Sequence, residues 1–523
     1  MTIEVTFHGA CGVVTGSCFE IRTPRAGILI DCGMFQGTKT IKQLNYETFP
    51  FDPTSITAVV LTHAHIDHCG LLPKLRNAGF RGAIVATPGT ADLLTYVLPD
   101  SGYVQETEVK RLNRRNRQRG KGDVEPIYTR ADGAACARHV TPRPLGRWFD
   151  AAPGIKARFW DAAHILGSAS VEVAISGDGD ASPLTLLFSG DIGPGAKALQ
   201  GTPQAPANVD YLFAESTYGD RVRTDRTAAA RRTAFRDEIA AGLKAGGLVL
   251  IPAFAVERTQ ELLVDLDWLF EHGQLPAVPV FVDSPLATRA TTVFARHLPA
   301  GADARAFDRP NLHFVGDAES SRKLARLRGG AIIIAGSGMC DAGRIRHHLK
   351  NNLSQPAATV LLVGYQAPGT LGRLLASGVT RVRIEGEEVA VKARLRELSG
   401  YSGHADQNGL VQWVKDRLPV KHQIFLVHGE DEARHGLAKR LTAERIDPAA
   451  IRLPQMGETV SLTATGAHTK HVRARVDLAA AGAFDWHNAY AQTLLALRER
   501  LDALPDDAAR RALLGKMKES LNP

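Results

Sequence analysis

The stretch Leu61–Gly70 reads "LTHAHIDHCG" and follows directly on the apolar run "ITAVV", Ile56–Val60. From Ile56 to Leu61 there is no polar face at helical spacing, which predicts a buried strand of the kind found in layered α/β proteins. His63, His65, Asp67 and His68 then fall in the loop beyond its carboxyl end, where a rigid sheet fixes groups that stay open to solvent. Imidazole and carboxylate are ligands of zinc and similar divalent ions. Three histidines and an aspartate packed between positions 63 and 68 therefore predict a metal-ligand cluster. Two metals need about eight contacts, so further ligands must come from elsewhere. Cys69, beside the cluster, is read as packing and not as a ligand.

Working outward, similar apolar strands ending in polar loops recur at "AGILIDCG", "AIVATP", "ARFWDAAHILGS", "TLLFSGDIG" and "VDYLFAESTYG". Three more candidate ligands sit at such ends: His164 in "DAAHILGS", Asp191 in "LFSGDIG" and His428 in "FLVHGE". From "TDRTAAARRTAFRDEIAAGLKAGGLVLIPAF" onward helix and strand alternate, which predicts an inserted parallel α/β module. The strand-to-polar-loop style returns near "KARLRELSGYSGHAD" and "HQIFLVHGEDEARHG", so the chain leaves one domain and comes back to it. After about Thr465 leucines recur at helical spacing in "NAYAQTLLALRERLDAL" and "DAARRALLGKMKESL", predicting two tail helices.

At 523 residues the chain exceeds what one hydrophobic core usually serves, and 44% hydrophobic with 23% charged residues is ordinary for a soluble globular protein. Lys and Arg outnumber Asp and Glu by 63 to 55, for a net charge of +8, a mild pull toward polyanions. The N-terminus lacks the basic start and apolar core of a signal peptide, and no apolar run reaches membrane-spanning length. A cytoplasmic protein is expected. The six cysteines form no CxxC pair, which fits reduced thiols and not a disulfide framework. A serine hydrolase is excluded because no G-x-S-x-G elbow occurs; "GYSGH" has the wrong spacing.

Asp31 in "LIDCG", the His63, His65, Asp67, His68 cluster, His164 and Asp191 resemble the successive motifs of the metallo-β-lactamase superfamily. Glu215 in "AESTYG", His404 in "SGHAD" and His428 in "VHGE" are similar to the three additional motifs of its β-CASP branch, which processes nucleic acids. The resemblance covers roughly residues 1 to 465. It implies a metallo-β-lactamase αββα sandwich with an inserted parallel α/β β-CASP domain. The expected division is 1–214 for the first part of the sandwich, 215–395 for the insertion, 396–465 for the return and 466–523 for a helical tail. It further implies two Zn2+ per chain. One is held by His63, His65 and His164, the other by Asp67, His68 and His428, with Asp191 bridging and Asp31 behind the ligands. His404 is then the proton donor to the leaving oxygen, paired with Glu215.

Relatives that act on DNA usually carry valine at the last motif, whereas RNA-processing members carry histidine, as His428 does. The resemblance thus implies RNA as partner; no membrane partner is expected from the apolar runs, and a homodimer is a further expectation. "GSGMCDAGRIRHHLKNNL" resembles a β-CASP signature of the group that cuts eukaryotic pre-mRNA at its 3′ end, which implies endonucleolytic action. No match to the long C-terminal domain of ribonuclease J is present. The alternatives are a small-ester or thioester hydrolase on the same site, and a non-catalytic RNA-binding scaffold.

Backbone donors at Ser337, Gly338 and Met339, opening a helix at Asp341–Lys350, are candidates for holding a phosphate, as are Ser402, Gly403 and Ala405. The run "KRLNRRNRQRGK", Lys110–Lys121, contains no acidic residue, and Arg114, Arg115 and Arg117 are its candidate phosphate contacts.

Overall fold

The computed structural model of the chain describes residues 3–176, 182–195, 197–223, 227–298, 304–366, 369–473, 497, 500–501, 504 and 506–521. Among these, one sheet has the spatial order Gly466–Val472, Glu458–Thr463, Ile3–Phe7, Phe19–Arg22, Gly27–Ile30, Ile56–Val60, Ala83–Ala86, Val140–Pro142. A second has the order Ile451–Arg452, Gln423–Val427, Tyr211–Glu215, Leu184–Phe188, Ala169–Ile175, Ile155–Asp161, Phe149–Ala152. Their inner faces enclose one buried cluster that includes Phe7, Phe188, Phe213 and Phe425. The rings of Phe188 and Phe213 stack at 4.2 Å, and those of Phe213 and Phe425 at 4.8 Å.

Helices close both outer faces. Leu93 and Leu94 of the helix Pro88–Gln118 pack with Val59 and Ile84 of the first sheet. Leu410 and Trp413 of Gln407–Lys415 and Leu437 of Asp431–Ala443 pack with Leu187, Leu212 and Leu426 of the second. The result is the expected αββα sandwich. Both Tyr211–Glu215 and its neighbour Gln423–Val427 lie side by side, parallel, although the inserted module separates them in sequence.

That module is a parallel sheet in the order Leu312–Phe314, Val280–Asp283, Ile332–Ala335, Val249–Pro252, Thr359–Leu362, Arg394–Glu397. Runs such as "IIIA" and "TVLL" are buried at every position, as befits strands covered on both faces.

Two expected boundaries move. Arg394–Glu397 pairs with Thr359–Leu362, so the inserted sheet extends past residue 395. Gly466–Val472 pairs antiparallel with Glu458–Thr463, so residue 466 opens a hairpin strand and not a helical tail. This strand lies at a sheet edge and is mostly exposed, so "GAHTKHV" carries no apolar alternation that would have announced it. Of the two tail helices, the second is present as Asp507–Leu521, while most of "NAYAQTLLALRERLDAL" lies outside the described residues. All six cysteines are buried and unpaired. Among the described residues no helix is long and apolar enough to cross a membrane.

Candidate metal centre

The candidate ligands converge because each lies at or just past the carboxyl end of a strand. Asp31 follows Gly27–Ile30, His63 follows Ile56–Val60, and His164 follows Ile155–Asp161. Asp191 follows Leu184–Phe188, Glu215 ends Tyr211–Glu215, and His428 follows Gln423–Val427. Asp67 and His68 depart from the expected loop: they sit in a one-turn helix, Ile66–Cys69, whose N-cap is His65. The turn is made possible by Gly33, where a Cβ would lie 1.6 Å from the Asp67 carbonyl oxygen. Cys69 is buried, and its thiol faces the Ala64 carbonyl at 3.5 Å. Asp31 and His428 hold left-handed backbone, with φ of 61° and 49°, a conformation that both residue types tolerate better than most.

The hydrogen bonds behind the imidazoles decide which nitrogens face inward. His164 Nδ1 lies 2.8 Å from the Gly403 carbonyl, so it must donate, which leaves Nε2 as a bare lone pair. His68 Nδ1 likewise donates to Asp31 Oδ2 at 2.7 Å. Thr62 Oγ1 donates to Asp31 and accepts from His63 Nδ1 at 3.0 Å. Thr217 Oγ1 donates to the His428 carbonyl and accepts from His428 Nδ1 at 3.0 Å. These partners hold Nδ1 and turn Nε2 inward in all four rings, the arrangement that orients imidazole toward a metal.

The inward nitrogens meet one another. His68 Nε2 and His428 Nε2 are 3.0 Å apart, and His65 Nδ1 is 3.1 Å from both His63 Nε2 and His164 Nε2. With the outer nitrogens of His63, His68, His164 and His428 committed, these inward nitrogens converge on spaces that a shared proton or a metal cation fills. Asp191 stands between the two sets: Oδ2 is 3.4 Å from His63 Nε2 and 3.3 Å from His164 Nε2, while Oδ1 is 3.3 Å from His68 Nε2. Oδ1 is buried without a hydrogen-bond partner, which a protein avoids unless a cation answers it. The donors group as His63, His65, His164 and Asp191 on one side and Asp67, His68 and His428 on the other. This all-nitrogen-and-oxygen set fits zinc.

Charge follows the same division. Burial lowers the basicity of His63 and His164 and pushes the His65 imidazole down to about 3, so these rings are neutral, as ligands must be. Burial also opposes charge on His68 and His428. There the carboxylate of Asp191, joined by Asp31 at His68 and by Asp67 at His428, outweighs it and raises both. Burial alone would raise the Asp67 and Asp191 carboxyls, but the surrounding imidazoles hold both well below the usual carboxylate range.

His404 belongs to a third group of donors, with Glu215 and Asp191, beside the two imidazole sets. Its Nδ1 is 3.0 Å from Glu215 Oε1, and its Nε2 faces Asp191 Oδ2 at 3.8 Å, beyond hydrogen-bond reach. Glu215 is fully buried and accepts from the backbone N–H groups of Ile192 and Thr217, so its position is fixed. The His404 ring, 17% exposed, is the partly open member of this group.

Several expected phosphate donors are committed elsewhere. The Ser337 N–H donates to the Ala342 carbonyl, and the helix expected from Asp341 starts at Ile345 and runs to Asn352. The glycine-rich turn bonds to itself across that gap. Gly338 packs on Phe254, whose ring lies 6.5 Å from that of His65, so this loop still borders the cluster. The Ser402 N–H donates to Ser399 O and the Ala405 N–H to Ile192 O, which spends both inside the fold. Gly403 instead orients His164. Arg114, Arg115 and Arg117 are exposed near the end of the helix Pro88–Gln118, and Arg117 pairs with Asp123 at 2.5 Å. Thr62 and Thr217 are site residues that spacing alone does not single out, and Gly403, expected as a phosphate donor, serves through its carbonyl as the partner of His164. Each lies one or two positions from a recognised motif residue, and only geometry shows what it touches.

Comparison with known proteins agrees with this layout. The metallo-beta-lactamase superfamily matches residues 11–216, the Beta-Casp domain residues 259–375, and the Zn-dependent metallo-hydrolase RNA specificity domain residues 388–451. A ribonuclease of Thermus thermophilus is 36% identical over 470 residues, covering 88% of this chain and 100% of the relative. Transcription termination factor FttA of Methanosarcina mazei is 30% identical over 453 residues, covering 83% of this chain and 68% of the relative. An RNase J-like protein of Methanocaldococcus jannaschii is 28% identical over 431 residues, covering 82% and 93%.

Proposed function

Because this chain belongs to the β-CASP branch of the metallo-β-lactamase superfamily, we propose that it is a zinc-dependent ribonuclease that hydrolyses internal RNA phosphodiester bonds, leaving 5′-phosphate and 3′-hydroxyl ends. The observation that carries this reading is the pair of imidazole clusters meeting at Asp191, with His404 poised beside them. His63, His65 and His164 would hold one zinc and Asp67, His68 and His428 the second, with one Asp191 oxygen turned to each side. A bound metal pair supplies Lewis acidity, making a water acidic enough to attack and offsetting charge on the phosphodiester.

The protein's own groups do the rest. Asp31 fixes the tautomer of His68 and, through Thr62, that of His63. Glu215 accepts a hydrogen bond from His404 Nδ1, which orients the ring with Nε2 toward the cleft. Nε2–H then gives its proton to the leaving 3′-oxygen. Arg114 and Arg115 lie on an exposed helix end, free of the ion pair that engages Arg117, and attract the phosphate backbone.

The test is digestion of linear and circular RNA by zinc-loaded protein, beside a thioester substrate and metal analysis. Cutting of circular RNA with about two zinc per chain is expected. Thioester hydrolysis with RNA left intact, or a protein that binds no zinc, overturns the reading.

A further inference from the structure

At the open edge of the second sheet, the guanidinium of Arg158 lies between two indoles, 4.4 Å from Trp148 and 4.6 Å from Trp160. Glu172, opposite Arg158 on the next strand, fixes the stack: it accepts from Arg158 at 2.9 and 2.7 Å and from Trp160 Nε1 at 2.8 Å. The charge of Arg158 is thus answered within the protein. What remains presented outward is the ring of Trp148, 41% exposed.

The stack lies close to the metal centre. Trp160 precedes His164 by four residues, a reach of at most about 14 Å. The chain leading to Trp148 borders the same rim. The Arg143 N–H donates to Ala86 O, and the adjacent Thr87 and Thr90 hydroxyls hold Gly167 O in the loop that carries His164. Residues 138–148, "RHVTPRPLGRW", hold three arginines and no acid, and Arg143 and Arg147 are exposed. Alternating cations and an open aromatic face match a chain that alternates phosphates with bases, whereas an acidic protein would need the cations alone.

We propose that the loop Arg143–Trp148 and the Trp148–Arg158–Trp160 stack form a single-stranded RNA track leading away from the metal cleft, with Trp148 as base-stacking platform and Arg143 and Arg147 as phosphate contacts. The inference rests on the ribonuclease reading. Its test is the affinity of the full-length zinc protein for oligouridylates of increasing length. Trp148→Ala should weaken binding of oligomers long enough to reach the platform by roughly 5- to 100-fold, the worth of one stacked base. It should leave shorter oligomers and zinc content unchanged, and Trp148→Phe should restore most of the loss. Arg143→Ala and Arg147→Ala should each reduce the salt slope by about one. Wild-type affinity in Trp148→Ala at every length, or an equal loss at all lengths accompanied by loss of zinc, overturns the track. A wild-type protein that neither binds nor cuts RNA overturns the ribonuclease reading itself.

Discussion

His404 is tied to Glu215 and holds neither zinc in the proposed assignment, so proton transfer can be separated from metal binding at a single side chain. His404→Ala should keep its zinc and lower RNA cleavage by roughly 10²–10⁴-fold, the usual worth of a positioned general acid. A substrate with sulfur in place of the bridging 3′-oxygen should largely rescue it, because a thiolate leaves without a proton; no rescue would remove His404 from that role. His65→Ala, in contrast, should lose zinc and activity together. Gly403 makes a subtler case. A Cβ there would stand 2.8 Å from His164 Cε1 and 3.1 Å from Nδ1, so Gly403→Ala should displace the ring and cost about 10–100-fold in zinc affinity, read by chelator competition. The histidines and aspartates were legible in sequence because few other roles crowd such residues together. Thr62 and Thr217 were not, and Gly403 was named for a different role, since a hydroxyl or a carbonyl shows its purpose only once the tautomer it enforces is visible.

At the level of strands and helices, apolar runs announced the strands that carry the site, while the one-turn helix Ile66–Cys69 is too short for any period to reveal. The turn around Ser337 shows a related limit: a glycine-rich strand-to-helix junction resembles an anion cradle, yet the Ser337 N–H is spent on the Ala342 carbonyl. Beside that turn, at the end of Val280–Asp283, Asp283 accepts from Arg344, His348 and Ser321, each at 2.7 Å. Burial opposes ionisation of Asp283, but the bonds from His348, Ser321 and Arg344 outweigh it and lower its pKa. A carboxyl lowered on folding stabilises above its unfolded pKa of about 4, and that stability fades as pH falls through the lower folded value. Asp283→Asn should therefore cost about 3 kcal/mol near pH 7, with the gap to wild type closing below about pH 4 in chemical unfolding. On the helix Pro88–Gln118, Arg114→Ala with Arg115→Ala should reduce the salt slope of RNA binding by up to about two, and an unchanged slope would mark that helix end as merely solvated.

In the molecule as a whole, the insertion was legible because the style of strand and loop changes and then reverts. Its far limit, and that of the sandwich, were blurred, because Arg394–Glu397 and Gly466–Val472 are edge strands, half wet and without apolar rhythm. This bears on how much chain the fold needs. A protein ending after residue 473 should retain zinc and the wild-type unfolding midpoint, since every proposed ligand and both sheets precede that point. One ending at 465 should unfold earlier and self-associate, because it bares the edge of Glu458–Thr463 and deletes the bonds from Thr469 to Glu458 and from Lys470 to Glu4. Finally, His68 and His428 face each other across 360 residues of sequence. During synthesis the chain passes through a long period in which one wall of the cleft has emerged from the ribosome and the other has not yet been made. A chain ending before residue 404 lacks both His404 and His428, so the candidate site is completed only when the last strand of the second sheet's centre has been made.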